Sequence, residues 1–476
     1  MPTRVLIPLI IACALFMENL DSTVLSTALP AIARDIGADP IRLKLALTSY
    51  LLSLAIFIPA SGWVADRFGA RLVFRLAIGV FLLGSIMCGL SNSLGQIIGA
   101  RIIQGMGGAM MVPVGRLVIL RTVPKADLVG SLAWLTIPAL IGPVIGPPLG
   151  GFFTTYFNWR WIFWINIPIG VLGLVLATLY IPDVRGEVRT RFDTPGFFLS
   201  AIGLASFVTG STAIGLDILP WPVVVVLLAT GVTMLTAYYF HARRAPHPIL
   251  DLKLFRIPTY RSTVTGGSLF RIGVGASPFL LPLMFQLGFG LNPFQSGMLT
   301  FVSALGAIAM KIAGPPILRR FGFRTVLLVN CMLSSIFVMV PGWFTPQTSW
   351  ALILGLLLFG GFLRSLQFTA INALGYSDIG QDMMSRATSM TGVVQQVSLS
   401  VGVSLGALSL ESAMHARGGT QLVASDFSWA FVVIGAISMT SFFFFQHLKP
   451  DAGAEVSGHH KPDLAAEDPV DEMRER

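Results

Sequence analysis

A series of long apolar runs, separated by short polar turns, constrains this chain more than any other feature. Coiled as a helix, about 20 apolar residues match the roughly 30 Å hydrocarbon core of a bilayer. Fourteen such runs lie between residues 5 and 446, the first at 5–29 and the last at 427–446. None shows the ten-residue alternation that a membrane β-barrel strand needs. Charged residues make up 12% of the chain, against about 25% in soluble proteins, and the mean hydropathy is +0.77. The expectation is an all-α membrane protein with 14 transmembrane helices, and a soluble enzyme is excluded.

The net charge of +9 reads as a consequence of membrane topology, because Lys and Arg collect in cytoplasmic loops. It gives no reason to invoke nucleic acid. Arg67, Arg71, Arg75, Arg116, Arg121, Lys125, Arg185, Arg189, Arg191, Arg243 and Arg244 crowd the side that carries both termini. Arg34, Arg42, Lys44, Arg160 and Arg417 are the cations of the other side. Both termini are therefore expected in the cytoplasm. The first run holds Glu18 and Asp21 and lacks a small-residue cleavage site, so it is expected to be a retained helix rather than a leader. Cys13, Cys88 and Cys331 have no ligand or redox spacing and read as small core residues.

Two polar stretches, 182–193 and 242–261, bracket the seventh and eighth runs. This divides the chain into a six-helix bundle (1–181), a two-helix insert with its loops (182–262), a second six-helix bundle (263–446) and a disordered tail (447–476). A degenerate repeat supports the division. Arg67-Phe68-Gly69-Ala70-Arg71 follows the second helix of the first half, and Arg320-Phe321-Gly322-Phe323-Arg324 follows the second helix of the second half. Paired bundles related in this way are characteristic of secondary transporters.

Several motifs add a resemblance. Gly62, Asp66, Arg67, Gly69 and Arg71 fit the loop pattern G-x-x-x-D-R-x-G-x-R of the major facilitator superfamily, and Arg101, Gln104, Gly105 and Gly107 fit its fourth-helix pattern R-x-x-Q-G-x-G. Gly142, Pro143, Gly146, Pro147, Gly150 and Gly151 resemble its fifth-helix antiporter motif. Asp21 with Ser22, Thr23 and Val24, and Trp159-Arg160-Trp161 with Asn166 and Pro168, are similar to stretches of the fourteen-helix drug:proton antiporter branch. The resemblance implies a major facilitator fold and a proton-coupled efflux carrier in a bacterial inner membrane.

Glu18 and Asp21 lie three residues apart, on one face of the first helix. A carboxylate in a span is costly unless paired or hydrated, and desolvation raises its affinity for a proton. Both are therefore proton-coupling candidates. Arg101 stays charged when buried and needs an acceptor; the resemblance implies that it faces Asp21. The glycines at 142, 146 and 150 recur every four residues and form one smooth helix face. Asp66 in a loop otherwise rich in arginine is the candidate for a latch between conformational states. Structural charge pairing, plain tight packing and topology-setting charge are the respective alternatives.

Gln104 and, in the second half, Arg271, Lys311, Arg364, Gln367, Asn372, Gln395 and Gln396 are candidates to line a substrate cavity. Cations at membrane depth mark pathways or cavities, which makes an anionic or zwitterionic substrate an option. The expected function is proton-driven export of small amphipathic compounds by alternating access, with an endogenous anionic metabolite as the alternative cargo. No G-x-x-x-x-G-K-[ST] run is present to cradle a nucleotide. No metal or other cofactor is expected, the partners are substrate, protons and lipid, and the monomer is expected to function alone.

Overall fold

The computed structural model describes residues 3–123, 128–183, 191–214, 219–380 and 383–459; along 3–5 and 128–140 it describes the backbone alone. Lys125, Arg185, Arg189 and the tail beyond residue 459 lie outside the described residues. Within them the secondary structure is helical, without strands. The helices are α1 (Thr3–Asp35), α2 (Lys44–Phe68), α3 (Ala70–Leu90), α4 (Leu94–Thr122) and α5 (Leu128–Tyr156). Next come α6 (Trp161–Tyr180), α7 (Thr194–Ala213), α8 (Trp221–Arg244) and α9 (Pro258–Gly288). The run Pro293–Trp343 is helical on both sides of Gly322, whose φ of 71° breaks it into α10 (293–321) and α11 (323–343). The last spans are α12 (Trp350–Gly375), α13 (Met384–Ala416) and α14 (Ala424–Phe445). Fourteen spans result among the described residues, as the hydropathy pattern requires.

Local chemistry places the breaks. Gly69 (φ 94°) ends α2 and starts α3, and Gly322 does the same between α10 and α11. Only glycine enters this backbone region without steric cost, so the repeated Arg-Phe-Gly-x-Arg marks two equivalent sharp turns. The arginine after each glycine is used alike: Arg71 donates to the Thr178 carbonyl at the end of α6, and Arg324 Nη2 donates to the Gln446 carbonyl (3.3 Å) just after α14. Asn292 and Gln295 form a capping box at the start of α10, and Ser93 and Asp193 cap α4 and α7.

Helices α1–α6 form one bundle, in which α1 lies along α5 and α4 lies between α2 and α3. Helices α9–α14 form the second, with α12 along α10 and α11. Helices α7 and α8 pair as a hairpin, and α7 rests where α2 meets α13. The outward faces carry exposed Leu76, Leu83, Leu172, Val226 and Ile312. Such faces need hydrocarbon rather than water around them.

The bundles meet along α2 and α13 and join again at the end opposite the termini. One buried apolar cluster runs there from Val24, Leu29 and Ile32 of α1 into Phe279, Leu283 and Phe285 of α9. Gln286 Nε2 donates to the Thr27 carbonyl (2.9 Å), and the Phe294 amide donates to Thr155 Oγ1 (3.0 Å). Residues 447–459 depart from the expectation of a structureless tail. A short helix, Ala454–Ser457, forms there, and His459 Nδ1 lies 2.9 Å from the Arg319 carbonyl.

Candidate functional site

The first bundle buries one acidic side chain completely within a polar network. Asp21 is 2% exposed and Arg101, Gln104, Ser85 and Asn166 are fully buried. The Arg101 guanidinium donates from Nη1 to Asp21 Oδ2. Gln104 Nε2 and Asn166 Nδ2 each donate to Asp21 Oδ1 at 2.8 Å, and both also reach Ser85 Oγ (2.7 and 3.0 Å). Arg101 is shared further, with Gln104 Oε1 (2.6 Å), the Ala46 carbonyl (3.2 Å) and the Tyr50 ring, which lies 4.1 Å from the guanidinium carbon. A single carboxylate on α1 thus ties together α2, α3, α4 and α6. The arginine supplies the counter-charge that makes a buried carboxylate tolerable.

Glu18 makes none of these contacts. Its Oε2 is buried with no hydrogen-bond partner among the described residues. Ser85, Tyr50 and Asn166 complete the network although one-dimensional reasoning did not single them out as site residues. Asn166 had a signal, since it belongs to the Trp159–Pro168 stretch; Ser85 and Tyr50 had none.

The opposite face of α1 meets α5. A Cβ on Gly142 would stand 3.0 Å from the Leu20 amide, one on Gly146 2.1 Å from Thr23 Oγ1, and one on Gly150 2.5 Å from the Val24 carbonyl. The four-residue period therefore lays the α5 backbone against the backbone and the threonine side chains of α1, with Pro143 half-buried beside it. The other side of α5 crosses to the second bundle. Gly151 abuts the Pro293 carbonyl, and Gly297 abuts the Pro147 carbonyl, each too closely to admit a methyl group.

In the loop motif, Asp66 Oδ1 accepts from Arg121 Nη2 (2.6 Å) at the end of α4, within its own bundle; the two side chains are 37% and 27% exposed. Arg67 is exposed, and Gly62 has open space beside it. On the far side, Asp35 Oδ2 accepts from Trp159 Nε1 (2.9 Å) and Arg160 Nη1 (2.7 Å), fastening the α5–α6 turn to α1.

The eight candidate cavity residues do not converge on one site. Gln104 belongs to the Asp21 network. Arg271 Nη2 donates to Asn372 Oδ1 (2.9 Å), linking α9 to α12. Arg364 Nη2 donates instead to Ser303 Oγ (2.7 Å) on α10, and Lys311 is exposed, with Nζ 3.0 Å from Thr369 Oγ1. Gln367 turns away from Arg364 toward α11, where Asn330 Nδ2 donates to its Oε1 (2.9 Å). Gln395 and Gln396 lie half-buried on α13. Residues three apart share a helix face, but here they meet different neighbouring helices.

The family signature described as Major Facilitator Superfamily matches residues 11–403. This chain belongs to the major facilitator superfamily. It is 39% identical over 411 residues to MdtD of Serratia proteamaculans (strain 568), covering 85% of each chain, and 38% identical over 410 residues to MdtD of Salmonella typhimurium (strain LT2). In the latter match it covers 84% of this chain and 85% of its relative. Both relatives are provisionally named for multidrug resistance. Among solved structures, a D-xylose–proton symporter superposes with a TM-score of 0.68 at 15% identity, covering 94% of this chain and 98% of that one. The human organic anion transporter MFSD10 (TETRAN) superposes with a TM-score of 0.61 at 15% identity, covering 94% and 100%. At that identity the likeness speaks for the fold; the family match and the MdtD relatives make this chain a major facilitator transporter.

Proposed function

We propose that this transporter is a drug:proton antiporter that exports small amphipathic compounds by alternating access. On this reading it is a monomer in a bacterial inner membrane with both termini in the cytoplasm. The observation that carries the reading is Asp21, a carboxylate fully buried in the bundle with one guanidinium as counter-charge. Protonating it removes the negative charge that Arg101 is paired with and weakens the bonds from Gln104 and Asn166. Breaking a buried pair from one side costs about 3–5 kcal/mol, enough to reorganise the contacts of α1.

The packing gives that change a route to the seam. Helix α1 lies between the Asp21 network and the glycine face of α5, and α5 meets α10 of the other bundle at Gly151 and Gly297. A shift of α1 is thereby passed through close contacts with α5, whose glycines leave no side chain on that face to absorb the displacement. A proton taken up at Asp21 from the side opposite the termini would accompany closure of that end, and its release toward the side of the termini would let that end reopen with cargo bound. The decisive experiment is Asp21→Asn in proteoliposomes under an imposed pH gradient. Gradient-driven transport of a fluorescent amphipathic dye that the wild type exports should stop while the protein keeps its melting temperature within a few degrees. Undiminished gradient-driven transport would remove Asp21 from the mechanism.

A further inference from the structure

The second bundle has a charge imbalance that the proton-coupling reading does not use. From residue 252 to residue 377 the sequence contains no Asp or Glu, yet Arg271, Lys311 and Arg364 sit within its spans. Helices α9–α12 therefore offer these cations no carboxylate of their own. Among the described residues none of the three forms a salt bridge.

The three differ in how far they are removed from solvent and lipid. Lys311 is exposed on α10. Arg364 is half-buried, with a serine hydroxyl as partner. Arg271 is 1% exposed; among the described residues its hydrogen-bonded side-chain partner is the neutral Asn372, and its Nε is buried without an acceptor. A small cleft opens beside it, lined by Thr263, Asn372, Gly375, Tyr376 and Thr391 from α9, α12 and α13. The Phe368 ring lies 5.7 Å from the guanidinium carbon. An ionised group taken out of water costs several kcal/mol unless it is neutralised, and an amide oxygen does not neutralise it.

We propose that the Arg271–Asn372 cleft is an anion subsite that receives a carboxylate of the cargo, so that this exporter prefers amphipathic carboxylates to cations or neutral compounds of the same shape. A guanidinium presents parallel N–H groups that match a planar carboxylate. Asn372 holds Nη2 and leaves Nε free to donate. The hydroxyls of Thr263 and Thr391 lie in the same lining, although Thr263 Oγ1 already donates to the Thr259 carbonyl (2.8 Å) and Thr391 Oγ1 is 3.1 Å from the Tyr260 hydroxyl. The proposal rests on the exporter reading for the direction of transport, and on Arg271 alone for the class of cargo.

The test measures binding without any gradient, so a failure of proton coupling would leave its result standing. Dansylglycine and its uncharged amide are titrated against the purified full-length protein by fluorescence. The wild type should bind the carboxylate about tenfold or more tightly than the amide, the worth of one charge-assisted hydrogen bond. Arg271→Gln should abolish that preference while leaving the affinity for the amide in place, and Arg271→Lys should restore part of it. Arg261→Gln, which removes an exposed positive charge from the same helix, should keep it. Retained binding of the amide and an undiminished melting temperature report that Arg271→Gln is folded. A wild type without preference for dansylglycine overturns the proposal, as does an Arg271→Gln protein that keeps the preference or an Arg261→Gln protein that loses it.

Discussion

Replacing Gly297 by alanine tests whether the seam between the bundles is the moving part. The added Cβ would stand 2.2 Å from the Pro147 carbonyl oxygen and 2.8 Å from its carbon. Carbon–oxygen contacts settle at about 3.3 Å or more, so the two backbones must separate by roughly 1 Å. Overpacking of this kind costs about 1–3 kcal/mol. Both partners are backbone and no rotamer change can relieve it. On the proposed alternating-access cycle the clash exists only while the end opposite the termini is closed. The cost should therefore fall on the closed state and shift the closed-to-open ratio by roughly five- to 150-fold. Gly306→Ala is the control. Its Cβ would stand 1.9 Å from the Leu358 carbonyl, an equally severe clash, but between α10 and α12 within one bundle, which the proposed cycle moves as a unit.

Spin labels at Arg42 and Gln347, exposed loop positions at the closing end of each bundle, would report the distance across the seam. The labels go into protein lacking Cys13, Cys88 and Cys331. Gly297→Ala should enlarge the long-distance population with little loss of melting temperature. Gly306→Ala should lower the melting temperature and leave the distance distribution unchanged. If the two variants behave alike, α5–α10 is ordinary core packing and the proposed route from Asp21 to the seam is wrong.

Three further outcomes are expected. Gly69→Ala puts a side chain at φ 94° and should destabilise the protein by about 1–2 kcal/mol in thermal unfolding, whereas Gly62→Ala, with open space beside it, should be close to silent. Asp66→Asn removes a partly exposed ion pair worth about 1 kcal/mol or less; the melting temperature should hardly move, but the same spin-label distances should redistribute, and an unchanged distribution would mean that the pair only decorates the loop. Asn166→Leu removes a donor to the Asp21 carboxylate while keeping the Arg101 pair, which favours the protonated form, so gradient-driven transport should slow at proton release and its pH profile should move to higher pH; an unaltered pH profile would limit Asn166 to packing.

Much of the architecture is legible one residue at a time. Apolar runs about as long as a bilayer is thick can only be spans, and their number and the charge of the loops follow without reference to any neighbour. The Arg-Phe-Gly-x-Arg repeat points to two equivalent turns because a glycine is what a positive φ requires, and both Gly69 and Gly322 have one. The four-residue spacing of Gly142, Gly146 and Gly150 announces a smooth helix face. A carboxylate in a span, as at Asp21, announces a partner of opposite charge. All of these are properties of a single helix or turn.

What each face meets was decided only when fourteen helices packed together. Arg364 and Gln367 share a face of α12 and yet bond to α10 and α11 respectively. Asn372 serves Arg271 on α9, Asp66 finds Arg121 in its own bundle, and Ser85 and Asn166 converge on Asp21 from α3 and α6. The physical reason lies in the solvent. Lipid tails are as apolar as leucine, so burying an apolar face does not select one neighbour over another; close backbone approach and a small number of buried polar bonds make that choice. Those bonds join residues far apart in the chain, and no periodicity within a single helix records them.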